Sequence, residues 1–155
     1  MSRISVVVVS RDRRDSLLET LARLAALPER PPVVVVDNGS TDGTVEAVRR
    51  AWPGVSLVPV GRNLGAAGRT LGVLAAGTPY VAFSDDDSWW EPGALGRAAE
   101  IFDATPSLGL LAARIVVSPG GRDDPVCAAM AAGPPSAVVP GGYDVLGFVA
   151  CGAAV

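Results

Sequence analysis

The chain has 155 residues, enough for one domain with a buried core, and its content of 49% hydrophobic and 19% charged residues is typical of a globular protein. The formal net charge is -3 and the sequence contains no basic block, which argues against nucleic acid as the main partner. Lysine and histidine are both absent from the sequence, which excludes histidine as a general base or metal ligand within these residues.

In the first half of the sequence, short β-branched runs alternate with helical patterns, which predicts βαβ units and an α/β fold with a mostly parallel sheet. Strands are predicted at residues 4–9, 33–36, 55–60 and 80–84. The first helix is expected to have Asp15 or Ser16 as its N-cap and to end at Pro28. The second helix ends at Pro53, a third spans about residues 66–76, and a fourth follows Pro92.

The second half of the sequence has weaker periodicity. Residues 108–117 predict a further strand, and residues 118–142, dense in proline and glycine, predict a long loop with room for one short element. Within that loop, Asp123 and Asp124 are expected to be solvated. Residues 146–155 predict a final strand of small residues, whose exposed edge would favour homo-oligomerisation.

The two cysteines, Cys127 and Cys151, lie far apart without metal-ligand spacing, which predicts free thiols and a cytoplasmic protein. No apolar stretch reaches the ~18 residues of a membrane span, and the apolar run at the start is too short for a signal peptide. Abundant alanine, glycine and proline, with arginine as the only cation, suggest a bacterial source. A position at the inner face of the membrane stays open for the full-length protein.

Polar residues follow four predicted strands at the carboxyl edge of the sheet, where open parallel sheets bind ligands. The four loops carry acids, amides and arginines and occupy residues 10–13, 37–43, 62–69 and 85–87. The last is the triplet Asp85, Asp86 and Asp87, in which strand alternation would place the first and third side chains on one side. Three adjacent carboxylates repel unless a metal, arginine or water offsets them, so the triplet predicts either a divalent cation site or a solvated turn.

The other loops each admit a structural and a functional interpretation. Asp37 lies at a strand tip, where its carboxylate could accept from a base or a ribose hydroxyl, whereas Asp42 and its glycine and threonine neighbours are expected to shape the turn and start the helix. Gly65 would serve close packing or the approach of a ligand. Arg69 would be either a surface charge or the counterion of a diphosphate.

The motifs, taken in order, resemble the amino-terminal half of family-2 GT-A glycosyltransferases. They lie at residues 5–13, 33–44, 63–69, 83–87 and 90–95. The resemblance covers roughly residues 3–117 and returns weakly at 147–155. It implies a Rossmann-like three-layer α/β/α sandwich forming one GT-A domain over residues 1–155. Residues 1–117 would be the nucleotide-sugar-binding half, and residues 118–155 the incomplete start of an acceptor-side region.

The resemblance also implies a site for a UDP- or dTDP-linked sugar and a divalent cation, Mn or Mg. The residues assigned to the nucleotide sugar are Ser10, Asp12, Asp37, Asn63, Gly65, Arg69 and Asp85. Asp87 is expected to ligate the metal, with Asp85 near the ribose or the metal. The implied reaction is an inverting glycosyl transfer to a hydroxyl of a carbohydrate, lipid-linked or small-molecule acceptor.

No residue matches the catalytic base, which the resemblance places C-terminal to Val155. The expectation is therefore a donor-binding fragment with little activity of its own. A non-catalytic nucleotide-sugar or metal-binding module stays open as an alternative. A sugar-phosphate nucleotidyltransferase is disfavoured because the loop after the first strand lacks glycine, and a receiver domain is disfavoured because lysine is absent.

Overall fold

The computed structural model describes residues 2–155. Six strands form the main sheet, and two further strands, β6 (Val116–Val117) and β7 (Arg122–Asp123), form a small hairpin. The strands of the main sheet are β1 (Ile4–Ser10), β2 (Val33–Asp37), β3 (Ser56–Pro59), β4 (Tyr80–Asp85), β5 (Leu111–Ala112) and β8 (Ala153–Ala154). The helices are α1 (Arg14–Ala25), α2 (Thr44–Ala51), α3 (Gly68–Ala75), α4 (Ala94–Ala104) and α5 (Pro125–Ala131).

The main sheet has the order β3-β2-β1-β4-β8-β5. Its first four strands are parallel, and β8 pairs antiparallel with both β4 and β5. The carboxyl ends of β1, β2 and β4 therefore lie side by side, with Ser10 in register with Asp37 and Val9 in register with Asp85. The predicted mostly parallel α/β architecture is confirmed.

The side chains of alternate residues in β1 pack in two separate apolar layers, as expected for a strand covered on both faces. Ile4, Val6 and Val8 pack in the larger layer, with apolar side chains of α1, α2 and α4. Val7 packs in the smaller layer, on the face that α3 covers. The sheet thus lies between two helical layers, which is the predicted three-layer sandwich.

Gly72 in α3 allows an unusually close approach of this helix to β1. A Cβ atom at Gly72 would lie 2.3 Å from Cγ1 of Val7 and 3.2 Å from Cγ2 of Val36. Both valines are fully buried. A glycine at this position therefore determines how deeply α3 sits on the sheet, and α3 carries Arg69 in its first turn.

Asp42 explains why α1 begins earlier than predicted, with Arg13 instead of Asp15 or Ser16 at the N-cap position. Its Oδ2 atom accepts the Arg14 N–H at 3.0 Å, and its Oδ1 atom accepts the Thr44 N–H at 3.1 Å. One carboxylate thus caps the N-termini of α1 and α2, as anionic groups favourably do. The expected role of Asp42 in starting a helix is confirmed, and α1 ends at Ala25, before Pro28.

Glu29 ties the loop after α1 to the start of α4. Its Oε1 atom accepts the N–H of Gly93 at 2.7 Å, and Gly93 adopts a left-handed φ of 88° immediately before the helix. The carboxylate therefore lies at the positive end of the α4 dipole. The contact spans 64 positions of sequence, and helical spacing alone does not reveal it.

The predictions for residues 108–155 are wrong in part. Residues 108–117 form two short strands because the chain leaves the sheet after Ala112 and pairs as the β6–β7 hairpin, where Arg114 contacts Asp123. Asp124, expected to be solvated, accepts the Val126 N–H and caps α5. Of residues 146–155, only Ala153–Ala154 forms a strand, after a short 3-10 helix.

Cys127 and Cys151 are free thiols, as predicted. Across residues 2–155, none of the helices combines the length and apolar character that crossing a membrane requires.

Candidate functional site

The aspartate triplet lies where β4 ends, and its three side chains have different surroundings. Asp85 is the last residue of β4, so the strand alternation predicted for the triplet does not extend beyond it. Asp86 is buried, with 6% of its surface exposed, whereas the side chains of Asp85 and Asp87 are 42% and 54% exposed. The predicted separation of Asp86 from its neighbours is therefore present, although a turn produces it.

Asp86 fixes the triplet to the body of the protein. Its Oδ2 atom accepts the hydroxyl of Ser10 at 2.8 Å, and its backbone carbonyl accepts the hydroxyls of Ser16 and Thr20 in α1. Burial raises the pKa of Asp86, while the Ser10 hydroxyl and Arg13 oppose that shift. The hydrogen bonds of Asp86 thus hold the loop against β1 and α1, while the side chains of Asp85 and Asp87 remain more exposed.

Each member of the triplet contacts an arginine from another segment of the chain. Arg69 in α3 places Nη2 2.5 Å from Oδ1 of Asp85, and Arg13 places Nη2 2.9 Å from Oδ2 of Asp87. Arg13 also contacts Asp86 through Nε at 3.2 Å. These pairs offset the repulsion between adjacent carboxylates and bring the predicted Arg69 and Asp85 into direct contact.

Asp37, the last residue of β2, is 2% exposed. Its Oδ2 atom accepts the N–H groups of Gly39 and Ser40, whereas its Oδ1 atom is buried and, within residues 2–155, has no hydrogen-bond partner. A buried carboxylate oxygen without a donor is costly. The arrangement therefore favours a ligand that supplies an N–H or O–H group at this point.

Asp12 joins the β1 loop to the β2 loop. Its Oδ1 atom accepts the Thr41 N–H at 2.6 Å, and its own N–H donates to the hydroxyl of Ser40 at 2.9 Å. The φ angle of Asp12 is 51°, a left-handed value that is uncommon outside glycine. These two hydrogen bonds hold the strained conformation and place Asp12 beside the loop that begins at Asp37.

The loop after β3 is held by amide side chains. Oδ1 of Asn63 accepts the N–H of Gly65, whose φ is 55°, and the carbonyl of Gly65 accepts Nδ2 of Asn38 at 3.0 Å. A Cβ atom at Gly68 would lie 3.0 Å from Oδ1 of Asn38, so a glycine there leaves room for the amide. Asn38 therefore links the β2 tip to the start of α3, a role that the sequence did not reveal.

The structure places the predicted site residues around one edge of the sheet, although not all are open to a ligand. Ser10 is 2% exposed and donates to Asp86, so its surroundings fit a supporting position better than ligand contact. Arg69 has a buried Nε atom that finds no partner among the described residues. Ser10 and Asp37 end β1 and β2, and Asp12 links the loops that follow these strands. Arg69 reaches across to Asp85 from α3.

A cleft of about 580 Å³ lies beside Asp87. Trp89, Arg114 and Cys151 are among its lining residues, and the guanidinium of Arg23 lies 3.9 Å from the ring centroid of Trp89. Burial, with help from the nearby charge of Asp85, raises the pKa of the Cys151 thiol. Neither the β2 loop nor the β3 loop contributes to the lining that the structure describes. The cleft therefore offers space next to the exposed end of the triplet.

Residues 2–155 contain no group of three or more histidine, cysteine, aspartate or glutamate side chains arranged to hold a metal ion. Within the triplet, Asp85 and Asp87 supply exposed carboxylate oxygens, the ligand type that Mg²⁺ and Mn²⁺ prefer. These two residues fit a hard cation that takes its remaining ligands from phosphate and water, as Mg²⁺ does in nucleotide sites.

Comparison with known proteins gives consistent matches. Residues 5–139 match the family model "Glycosyl transferase family 2". An N-acetylglucosaminyl-diphospho-decaprenol L-rhamnosyltransferase of Mycobacterium tuberculosis is 34% identical over 157 residues, covering 93% of this chain and 50% of the relative. The succinoglycan biosynthesis protein ExoU of Rhizobium meliloti is 31% identical over 98 residues, covering 61% of this chain and 29% of the relative. The chain thus spans half or less of the length of these relatives.

Two solved structures show the same fold. S. aureus TarS 1-349 in complex with UDP-GlcNAc superposes with a TM-score of 0.65 and 27% identity, over 79% of this chain and 37% of that one. The mannosyltransferase PcManGT from Pyrobaculum calidifontis, in complex with GDP-Man and Mn2+, gives a TM-score of 0.63 and 27% identity, over 74% of this chain and 36% of that one.

Proposed function

The chain belongs to glycosyl transferase family 2, and on that premise we propose that it forms the donor-binding part of an enzyme that moves a sugar from a nucleoside diphosphate to an acceptor hydroxyl. One observation carries the proposal: two exposed aspartates, each contacting an arginine, lie at the carboxyl edge of a parallel sheet. That edge is where such sheets bind nucleotides, and a diphosphate with a divalent cation matches this mixture of charges.

Asp37 is proposed to bind the base of the nucleotide. Its buried Oδ1 atom has no partner within the described residues and would accept the ring imide N–H of uracil or thymine, which both bases carry. The unpartnered oxygen therefore supports a UDP- or dTDP-linked donor without distinguishing between the two. Asp12 and Asn63 hold the loops on either side of this position.

Asp87 and Asp85 are proposed to bind Mn²⁺ or Mg²⁺. When bound, such an ion would supply positive charge against the negative charge that develops on the departing diphosphate. Arg69 would donate from the first turn of α3 to the same diphosphate, for which its planar guanidinium is well suited. Its Nε atom, which lacks a partner among the described residues, is a donor for this contact.

The cleft beside Asp87 is the proposed entry for the acceptor, because it lies on the side of the triplet that the nucleotide loops leave free. The name of the mycobacterial relative describes a lipid-linked acceptor, and a carbohydrate on a lipid carrier is the proposed acceptor class here. We propose an inverting single displacement, in which a carboxylate base takes the proton of the attacking hydroxyl.

Titration calorimetry with UDP and dTDP, each with and without Mn²⁺, tests the donor site. Wild-type protein is expected to bind one of the nucleotides far more tightly when the metal is present. Asp87→Asn, which removes a ligand charge, is expected to lower this metal-dependent affinity at least about tenfold, the lower end of what disturbed metal sites lose.

Glu100→Gln is a matched control, because Glu100 is an exposed acid of α4 whose partner is Arg97. It is expected to bind as wild type does. Equal nucleotide affinity in wild type and Asp87→Asn would contradict the proposed metal site. Tight binding without transfer to any offered acceptor would instead favour a binding module.

A further inference from the structure

Arg13, the residue directly before α1, bridges two carboxylates of the triplet. Its Nε atom lies 3.2 Å from Oδ1 of Asp86, and its Nη2 atom lies 2.9 Å from Oδ2 of Asp87. The Asp86 side chain is 9% exposed and is also held by Ser10, whereas the Asp87 side chain is 54% exposed. One end of the guanidinium is therefore anchored at a buried site, and the other end reaches the surface.

This bridge puts a fixed positive charge at the carboxylate assigned to the metal. A guanidinium and a divalent cation on the same carboxylate repel each other, and the repulsion is stronger near a protein surface than in bulk water. The anchor on Asp86 keeps Arg13 close to Asp87 even when the shorter contact is broken. A metal that binds Oδ2 of Asp87 would therefore displace Nη2, while the ion pair with Asp86 would keep the Arg13 side chain nearby.

We propose that Arg13 couples metal binding to diphosphate binding, an inference that rests on the proposed function. When the metal takes Asp87, Nη2 is released while Nε stays on Asp86, and the released N–H groups donate to an oxygen of the diphosphate. The metal alone binds weakly because nothing replaces the lost contact. In the presence of a nucleoside diphosphate, the new contact compensates, so each ligand raises the affinity for the other by the same factor.

Arg69 differs from Arg13 in a way that makes the test specific. It contacts only Asp85 of the triplet, through Nη2, and projects from α3, which packs on the face of the sheet opposite to α1. It has no second anchor on a buried carboxylate among the described ion pairs. Removal of Arg13 should therefore raise the affinity for the metal alone and reduce the effect of nucleotide on that affinity.

The experiment measures Mn²⁺ affinity from the electron paramagnetic resonance signal of free Mn²⁺, without nucleotide and with saturating UDP or dTDP. Arg13→Gln is expected to bind Mn²⁺ alone about fivefold more tightly than wild type, the factor expected for loss of one exposed ion pair. The enhancement by nucleotide is expected to fall by a similar factor of about five, because the released donor is missing.

Arg13→Lys keeps the positive charge, and its affinity for Mn²⁺ alone is expected to stay within about twofold of wild type. Arg97→Gln, which removes an exposed arginine of α4 that contacts Glu100, should leave both affinities unchanged. Circular dichroism and thermal unfolding establish that each variant is folded. A purely structural role for Arg13 would weaken Mn²⁺ binding in Arg13→Gln.

Unchanged or weaker binding of Mn²⁺ alone by folded Arg13→Gln would overturn the coupling while leaving the proposed function standing. Absence of any metal-dependent nucleotide binding by wild type would overturn both. Tighter binding of Mn²⁺ alone, together with a reduced nucleotide effect, would support the coupling.

Discussion

Replacement of Gly72 by alanine tests how closely α3 is packed on the sheet. The added Cβ would lie 2.3 Å from Cγ1 of Val7, whereas carbon atoms pack at about 3.5–4.0 Å. Val7 is fully buried and β-branched, so neither partner yields easily. Overpacking costs about 1–3 kcal/mol, and this short contact belongs at the upper end of that range. Alanine has a higher helix propensity than glycine, which stabilises the variant by about 1 kcal/mol. The free energy of unfolding is therefore expected to fall by about 2 kcal/mol.

Gly96→Ala is the matched control, because Gly96 lies in α4 and a Cβ there meets no atom within 4 Å. This variant is expected to gain up to about 1 kcal/mol from helix propensity alone. Urea unfolding followed by circular dichroism measures both changes, and the two variants should differ by about 3 kcal/mol in free energy of unfolding. If Gly72→Ala were as stable as Gly96→Ala, the close packing of α3, and with it the position of Arg69, would be refuted.

Three further substitutions test contacts that hold the site. Asp42→Ala should cost about 1–2 kcal/mol at neutral pH because two helices lose a cap. The Thr44 hydroxyl lowers the pKa of Asp42, so the part of this cost that depends on the ionised carboxylate should be lost as the pH falls through that pKa. Glu29→Gln, which weakens the contact with Gly93, should lower the free energy of unfolding by about 0.3–1 kcal/mol in urea melts at low salt. Burial raises the pKa of Asp86, so Asp86 keeps its proton to higher pH in the native state than in the unfolded state. The free energy of unfolding should therefore fall as the pH rises from the unfolded to the folded pKa of Asp86. Asp86→Asn should flatten this pH dependence in urea melts.

The parallel part of the sheet was predictable because its strands are unusually apolar. Residues 4–9 and 33–36 are almost continuous runs of valine and isoleucine, a pattern that indicates burial on both faces. The chain direction then places the polar loops at one edge by topology alone. The close pairing of Arg69 with Asp85 agrees with the predicted convergence of these loops.

Other features depend on contacts between segments that are distant in sequence. Alternation predicted that Asp86 lies apart from its neighbours in the triplet, but its burial depends on the packing of Ser10 and α1 around it. The start of α1 was misplaced because its cap comes from Asp42, 28 positions away. The region after Leu108 was misread as one strand because pairing with β8 and β7 divides it.

The position of β8 has a consequence for folding during synthesis. Ala153–Ala154 lies between β4 and β5, so β5 has no partner in the sheet until those residues have left the ribosome. The first four strands pair in parallel with one another and are available much earlier. The carboxyl edge of the parallel strands is therefore expected to assemble before β5 and β8 pair. This late, long-range pairing slows completion of the fold.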